Sequence, residues 1–333
     1  MKRVTVKDIA RESGYSVATV SKALSGTDRV GAETIEKIKK IAAELGYRSS
    51  LSAQALVRRT RRVAIVLFRS PAEVRIPFEK GFEDSFDLYR EFGLEPEYHL
   101  FDHMNEVDWE AVAQSASAAI VTPGLGYEEC ADALDRLGRR IPLVILQTRT
   151  HQPVTQLCEV TVNARVVGMM AAQMLSLCAP GGRIGVLTGY NSGWIHDENV
   201  RGFLSAASSC GIEHAGTLET FDDMDAAYAA ASGMLEDHPD LNGFFVTSYV
   251  SPAVCRAVAD SGRQVHVVGV DLFAGSTACL RSGIMAAAIF QNQHRQAQLA
   301  LEAVVNHLRG IAPEACIQVK PELVLRTNLS CYD

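Results

Sequence analysis

The sequence predicts an α/β protein: a two-lobed body with parallel sheets, preceded by a three-helix head. Three observations predict it. From residue 63 onward, short apolar runs alternate with amphipathic stretches, the pattern of buried strands joined by helical crossovers. Residues 1–62 carry helical periodicity alone. The charge divides at the same point: the first 62 residues hold 14 Lys+Arg and 6 Asp+Glu, a charge of +8, and the remainder holds 18 and 33, a charge of −15. The overall −7 conceals a basic head on an acidic body, which suggests a polyanion partner at one end only.

In the head, Thr5 with Asp8 three residues on has the spacing of a capping box and opens a helix to about Ser13. Gly14 and Tyr15 form a turn, which glycine passes without steric cost. Ser16 is an N-cap residue for a second helix over about 17–24. Ile35, Ile38, Ala42 and Leu45 repeat at three- and four-residue spacing, so a third helix is expected over about 32–45. Ala10, Val20 and Leu24 supply a small core where the first two helices cross.

The first turn of the second helix offers small side chains, as a major groove admits. Val17 and Ala18 stand where base edges are met, and Val17 suits a thymine methyl. Lys22 can reach a guanine or a phosphate, and Ser16, Thr19, Ser21 and Tyr47 suit phosphate oxygens. Residues 49–62 leave two readings open. They are a basic linker, or a short helix that pairs with its copy in a dimer and presses Leu56 into the minor groove.

Val4-Thr-Val-Lys-Asp-Ile-Ala10, Val17-Ala-Thr-Val-Ser-Lys-Ala-Leu-Ser-Gly26 and Ala42-Ala-Glu-Leu-Gly-Tyr47 resemble the headpiece of LacI/GalR-family transcription regulators. The Val17-Ala18 pair resembles that of galactose-type repressors. The resemblance implies a helix-turn-helix head over 1–48, with Thr5 among its DNA contacts, and a hinge over 49–62. It also implies a homodimer on a pseudo-palindromic operator, with Ala53 and Leu56 at the central minor groove. Lys22 stands where the family more often has Arg or His and lacks arginine's planar fork. Gly31 replaces a Ser-like N-cap.

The body, 63–333, reads as two series. Strands are expected over 63–68, 97–100, 118–122 and 142–146, with helices over 77–92, 107–115 and 127–137. After a helix over 164–177 come strands over 183–187, 214–218, 243–247, 265–270 and 284–289. Helices over 199–210, 226–237, 252–261 and 292–309 separate them, and a last strand occupies 322–325. Two such lobes place a cleft at the carboxyl ends of their strands. Polar residues just past those ends are candidate ligands: Gln147 and Arg149, residues 190–199, Ser248 and Tyr249, Asp271, and Gln291 to Gln293.

Through the body the resemblance extends to periplasmic sugar-binding proteins. It implies an N-lobe of about 63–160 with 290–320 and a C-lobe of about 161–289 with 321–333. Gly269-Val-Asp271 resembles a strand-end Asp that binds effector hydroxyls, and Gln291 a pocket Gln. Trp194, Tyr249 or Phe78 is suited to stack on a sugar face. Asn199 stands where the family's Arg-x-x-Gly-Phe has its Arg, Ser248-Tyr249 replace Asn-Asp, and Gln147 replaces Asp. The pocket is therefore expected to have lost charge of both signs and to take a small neutral sugar or polyol.

Composition narrows the class. No run of 18 apolar residues occurs, and Asp8, Arg11 and Glu12 break the start, so neither membrane span nor signal peptide is expected and the chain is placed in the cytoplasm. Eight cysteines without a CxxC pair read as reduced, mostly buried thiols. No nucleophile elbow, phosphate loop, HExxH or dinucleotide fingerprint is found, so no enzyme, metal or cofactor is expected. No heptad tail follows residue 325, which favours a dimer over a tetramer. The sequence reading is a sugar-controlled repressor. Its alternatives are a transporter's solute-binding protein and a corepressor-dependent regulator of a non-sugar metabolite.

Overall fold

The computed structural model describes residues 4–25, 30–45, 61–69, 71–103, 106–124, 128–190 and 193–332. Tyr47, Ala53, Leu56 and the hinge before residue 61 lie outside them. The chain divides into a unit of the first 60 residues with Arg90–Gly93, and a second unit holding the rest.

The head has three helices, α1 (Val6–Ser13), α2 (Val17–Ser25) and α3 (Ala32–Glu44). Asp8 accepts hydrogen bonds from the Thr5 backbone N–H at 2.9 Å and from its hydroxyl at 2.6 Å. Gly14 closes α1 at φ 75°, its N–H donating to the Ala10 carbonyl. Ser16 Oγ accepts from the Thr19 N–H at 3.1 Å, so it caps α2 as expected. Ile9, Ala10, Val20, Ala23, Ile38 and Ala42 are buried, with Leu24, Ile35 and Leu45 packed around them. Six residues of that size make a thin core, and a domain this small is marginal alone.

The body is built on two six-stranded sheets. The first runs through β1 (Arg61–Phe68), β2 (Leu94–Phe101), β3 (Ala119–Pro123), β4 (Leu143–Gln147), β5 (Cys158–Val162) and β11 (Cys316–Val319). Its spatial order is β11-β5-β4-β3-β1-β2, parallel throughout. The second holds β6 (Arg183–Thr188), β7 (Glu213–Glu219), β8 (Leu241–Val246), β9 (His266–Val270), β10 (Met285–Phe290) and β12 (Glu322–Val324), in the order β12-β10-β9-β8-β6-β7. There β12 runs antiparallel to β10, which corrects the expectation of a wholly parallel sheet.

Both faces of the strands are covered. Val63 to Leu67 are all buried, as are all five residues of β3 and β5. The first sheet is flanked by α4 (Ala72–Leu88), α5 (Trp109–Ser115), α6 (Glu128–Gly138) and α12 (Gln293–Leu308). The second is flanked by α7 (Ala164–Cys178), α8 (Trp194–Ala207), α9 (Met224–Asp237), α10 (Ser251–Ser261) and α11 (Ala274–Ser282). The chain passes between sheets after β5, β10 and β11.

Helices α7 and α8 cross in close contact. A Cβ on Gly168 would lie 1.9 Å from the Asn199 carbonyl oxygen, and one on Gly202 would lie 2.0 Å from that of Arg165. Only glycine permits this approach. It seats α8, and with it the residues that open the helix, against the second sheet.

Candidate functional site

The order of each sheet reverses beside its first strand, between β1 and β3 and between β6 and β8. Such a switch leaves a crevice at the strand carboxyl ends. The two crevices face each other across a cleft of about 1260 Å³. Five non-glycine residues among those described have positive φ: Gln147 (67°), Phe221 (53°), Asp222 (56°), Asp271 (60°) and Asn292 (53°). Each lies just past a strand end. Backbone held in such a region by its surroundings marks binding sites more often than plain loops.

Asp271 forms the centre of the C-lobe wall. Its carboxylate accepts the Gln291 backbone N–H and the Gln291 side-chain Nε2, each at 2.8 Å. Burial pushes its pKa up to about 6, against the lowering effect of those bonds. Gln291 Nε2 is thereby committed, and Gln291 Oε1 is left without a protein partner. Ser248 Oγ is likewise buried and unpartnered. His196, on the first turn of α8, holds Thr247 Oγ1 at 3.0 Å through Nδ1, and Thr247 Oγ1 lies 2.8 Å from Thr188 Oγ1. Burial lowers the His196 pKa, with Asp222 opposing the shift. The imidazole is therefore neutral at physiological pH.

The N-lobe wall mixes apolar and charged side chains, with Asp102, His103, Glu106 and Arg136 among those that line it. Phe68 ends β1, Phe78 lies on α4, and Gln147 ends β4 with Thr148 just past it. Arg75 also reaches the cleft from α4, where its guanidinium is held by Glu79 and donates from Nε to the Arg69 carbonyl.

Six of the nine expected effector residues line this cleft: Phe78, Gln147, Ser248, Tyr249, Asp271 and Gln291. Arg149, Trp194 and Asn199 do not. Arg149 lies over the Trp194 ring, 4.7 Å from its centroid, and pairs with Glu159 at 2.6 Å. Asn199 is fully buried on α8 with neither amide atom bonded. Arg201 points to the surface, paired with Asp197 and Glu198. Arg75 and Asp222 line the cleft without having been singled out in the sequence. Arg75 sits on a helix face rather than at a strand end, and Asp222 falls between the strand expected over 214–218 and the helix expected over 226–237. The doublet Asp222-Asp223 just after β7 is the signal that marks them apart: Asp223 caps α9, its Oδ1 accepting from Ala226 N–H, and Asp222 faces the cleft. Charge in the cleft is thus redistributed rather than lost.

The second feature is on the head. Val20 and Ala23 turn inward on α2, while Ser16, Val17, Ala18, Ser21 and Lys22 are exposed and Thr19 is half-buried. Val17 exposes 47% of its surface. An apolar residue so placed among small and basic neighbours suits a groove-facing surface. Thr5 is exposed at the start of α1.

Residues 5–50 match the family model for bacterial regulatory proteins of the lacI family, and residues 103–312 match that for the periplasmic binding protein domain. The chain is 27% identical over 292 residues to the HTH-type transcriptional regulator CelR of Thermobifida fusca, covering 81% of this chain and 82% of that protein. It is 23% identical over 249 residues to a D-ribose/D-allose-binding protein of Pseudomonas aeruginosa, covering 71% and 76%. A solved structure of GanP, a glucose-galactose binding protein from Geobacillus stearothermophilus, superposes with a TM-score of 0.75 at 21% identity. It covers 82% of this chain and 99% of that one. Among the described residues, no helix is long and apolar enough to cross a membrane. With a head of the lacI family of bacterial regulatory proteins over 5–50, and a transcriptional regulator matching along most of its length, the chain belongs through its body to the periplasmic binding protein domain family and is a DNA-binding transcriptional regulator, not an enzyme.

Proposed function

We propose that the protein is a cytoplasmic, homodimeric repressor of carbohydrate-metabolism genes. Its head, 1–48, reads a pseudo-palindromic operator through α2, with Val17 and Ala18 at base edges and Thr5, Ser16, Thr19, Ser21, Lys22 and Tyr47 on or near the phosphates. The segment 49–62 acts as the hinge, with Ala53 and Leu56 at the minor groove. A small neutral sugar or polyol in the body's cleft sets the angle between the lobes, and the hinge passes that angle to the head.

The observation that carries the effector reading is the Asp271–Gln291 arrangement. A buried carboxylate consumes the amide donor and leaves the amide oxygen facing a cleft, which suits a ligand rich in hydroxyl donors. Arg75, one of the two arginines that line the cleft, is already held by Glu79, so a phosphorylated or carboxylated ligand finds no ready partner in it. The similar D-ribose/D-allose-binding and glucose-galactose binding proteins support the same reading. Linkage then requires sugar and operator to alter each other's affinity by one factor.

The test has two arms. Duplexes selected from a random library by the intact protein should share a two-fold related motif and bind as two chains per site. A thermal-shift panel of D-ribose, D-allose, D-glucose, D-galactose and their phosphates should raise the melting temperature for a neutral sugar. A phosphate ester that binds far more tightly than every neutral sugar would overturn the effector reading.

A further inference from the structure

Asp222 has no counterpart in the site as read so far. It follows β7, in a turn that its surroundings over-determine. Thr220 donates from both its N–H and its hydroxyl to the Thr188 carbonyl, at 2.8 and 2.9 Å. The Tyr249 hydroxyl donates to the Asp222 carbonyl at 2.5 Å. These contacts hold two successive non-glycine residues, Phe221 and Asp222, in left-handed backbone that L side chains rarely adopt. The result is a carboxylate at the cleft wall. A Cβ on Gly189 would come within 2.4 Å of Asp222 Oδ1, so glycine there leaves the room the carboxylate occupies.

The carboxylate is held incompletely. Oδ2 lies 4.0 Å from His196 Nε2, and Oδ1 is buried with no protein donor. Among the described residues, no Arg or Lys pairs with Asp222. Two further acceptors, each more than nine-tenths buried, line the same wall without partners: Gln291 Oε1 and Ser248 Oγ. Two donors on this wall are already engaged, Gln291 Nε2 with Asp271 and His196 or Thr247 with one another, while the Ser248 hydroxyl can both accept from and donate to a ligand.

We propose that Asp222 is a specificity-determining effector ligand, which with Gln291 and Ser248 makes the C-lobe wall a reader of hydroxyl donors. The effector edge that meets this wall carries free hydroxyls, and an analogue lacking the hydroxyl that meets Asp222 is rejected. This rests on the neutral-sugar reading above and adds the residue that discriminates among sugars. A missing partner for a charged acceptor atom shut off from water discriminates more strongly than a lost apolar contact, because Oδ1 of the half-buried carboxylate is then left unpaired.

The experiment is calorimetry of the full-length protein and of Asp222→Asn with D-ribose, D-allose, D-tagatose, D-glucose and D-galactose, followed by the mono-deoxy analogues of the best binder. Asp222→Asn should weaken that sugar about ten- to a hundred-fold, as expected for loss of a charge-assisted hydrogen bond. One deoxy analogue should lose as much against the wild type and nothing further against the variant, a non-additivity that a purely structural role would not produce. The ligand-free melting temperature of the variant controls for folding, and His196→Gln serves as a second variant that leaves the carboxylate in place. Equal affinity of wild type and Asp222→Asn for the best sugar, or parallel losses across every deoxy analogue, overturns this proposal alone. A panel in which no sugar binds overturns the neutral-sugar reading along with it.

Discussion

The guanidinium of Arg149 lies 4.7 Å above the ring of Trp194. Arg149 follows β4 in the first sheet and Trp194 opens α8 on the second, so this contact joins the two lobes. Gln147 and His196, two residues from each partner, line the cleft. A change in lobe angle that breaks the stack is therefore felt next to the effector. The guanidinium is anchored by Glu159, itself buried in β5.

Removing Arg149 alone leaves the buried Glu159 carboxylate without a cation, with only the Cys316 thiol beside it. Arg149→Met is expected to cost about 3–5 kcal/mol in urea unfolding of the body. Combining it with Glu159→Gln should recover most of that loss. Trp194→Leu, which keeps the ion pair, should cost only about 1–2 kcal/mol. Equal stability of the single and double arginine variants would show that Glu159 is not held by Arg149.

Asp271 sets a pH dependence whose sign is fixed by burial. Its pKa is raised from 3.8 to about 6 in the folded protein, so the folded state binds the proton more tightly than the unfolded chain. The protonated form favours folding below the unfolded value. That contribution is lost as pH rises from about 4 through 6, by about 3 kcal/mol at 1.36 kcal/mol for each unit. Sugar affinity should move the other way, falling below pH 6 as the acceptor is protonated. Asp271→Asn should flatten both curves, which unfolding and calorimetry at pH 4.5 and 7.5 would record.

The crossing of α7 and α8 tolerates no side chain. Gly168→Ala and Gly202→Ala each place a methyl within about 2 Å of a backbone oxygen. Each is expected to destabilise the body by at least about 1–3 kcal/mol. A melting temperature unchanged by either substitution would contradict the packing of α8 described above.

On the head, Val17 and Ser16 separate recognition from folding. Val17 is exposed, so Val17→Ala should leave stability within about 0.5 kcal/mol of wild type while weakening a selected duplex several-fold. Ser16→Ala removes the bond to the Thr19 N–H and should cost the isolated helix pair about 1 kcal/mol. Circular dichroism and fluorescence anisotropy distinguish the two outcomes.

Much of this architecture was legible because periodicity and caps act locally. The Thr5–Asp8 and Ser16–Thr19 contacts, the helix from Ala164, and the strands that supply Asp271 and Gln291 all follow from neighbouring residues. Three elements were missed. β5, Cys-Glu-Val-Thr-Val, is short, and its Glu159 is buried only because Arg149 meets it. α11 is rich in Gly, Ser and Thr, and is fixed by Ser276, whose hydroxyl accepts the Phe273 N–H at 2.8 Å. β11 exists only by pairing with β5, 150 residues and more away in the chain. The opening of α8 was placed at Asn199 rather than Trp194, since Gly193, Trp194 and His196 are poor helix signals. That shift moved His196 to the cleft and left Asn199 at the buried crossing. Asp222 and Arg75 reach the cleft through tertiary packing, which spacing along the chain does not reveal.

The most direct test of the account measures linkage. Affinity for a selected duplex is titrated by anisotropy with and without the best sugar, and sugar affinity by calorimetry with and without the duplex. Sugar should weaken duplex binding, and duplex should weaken sugar binding by the same factor, at least about ten-fold. Duplex affinity unchanged at saturating sugar would contradict it.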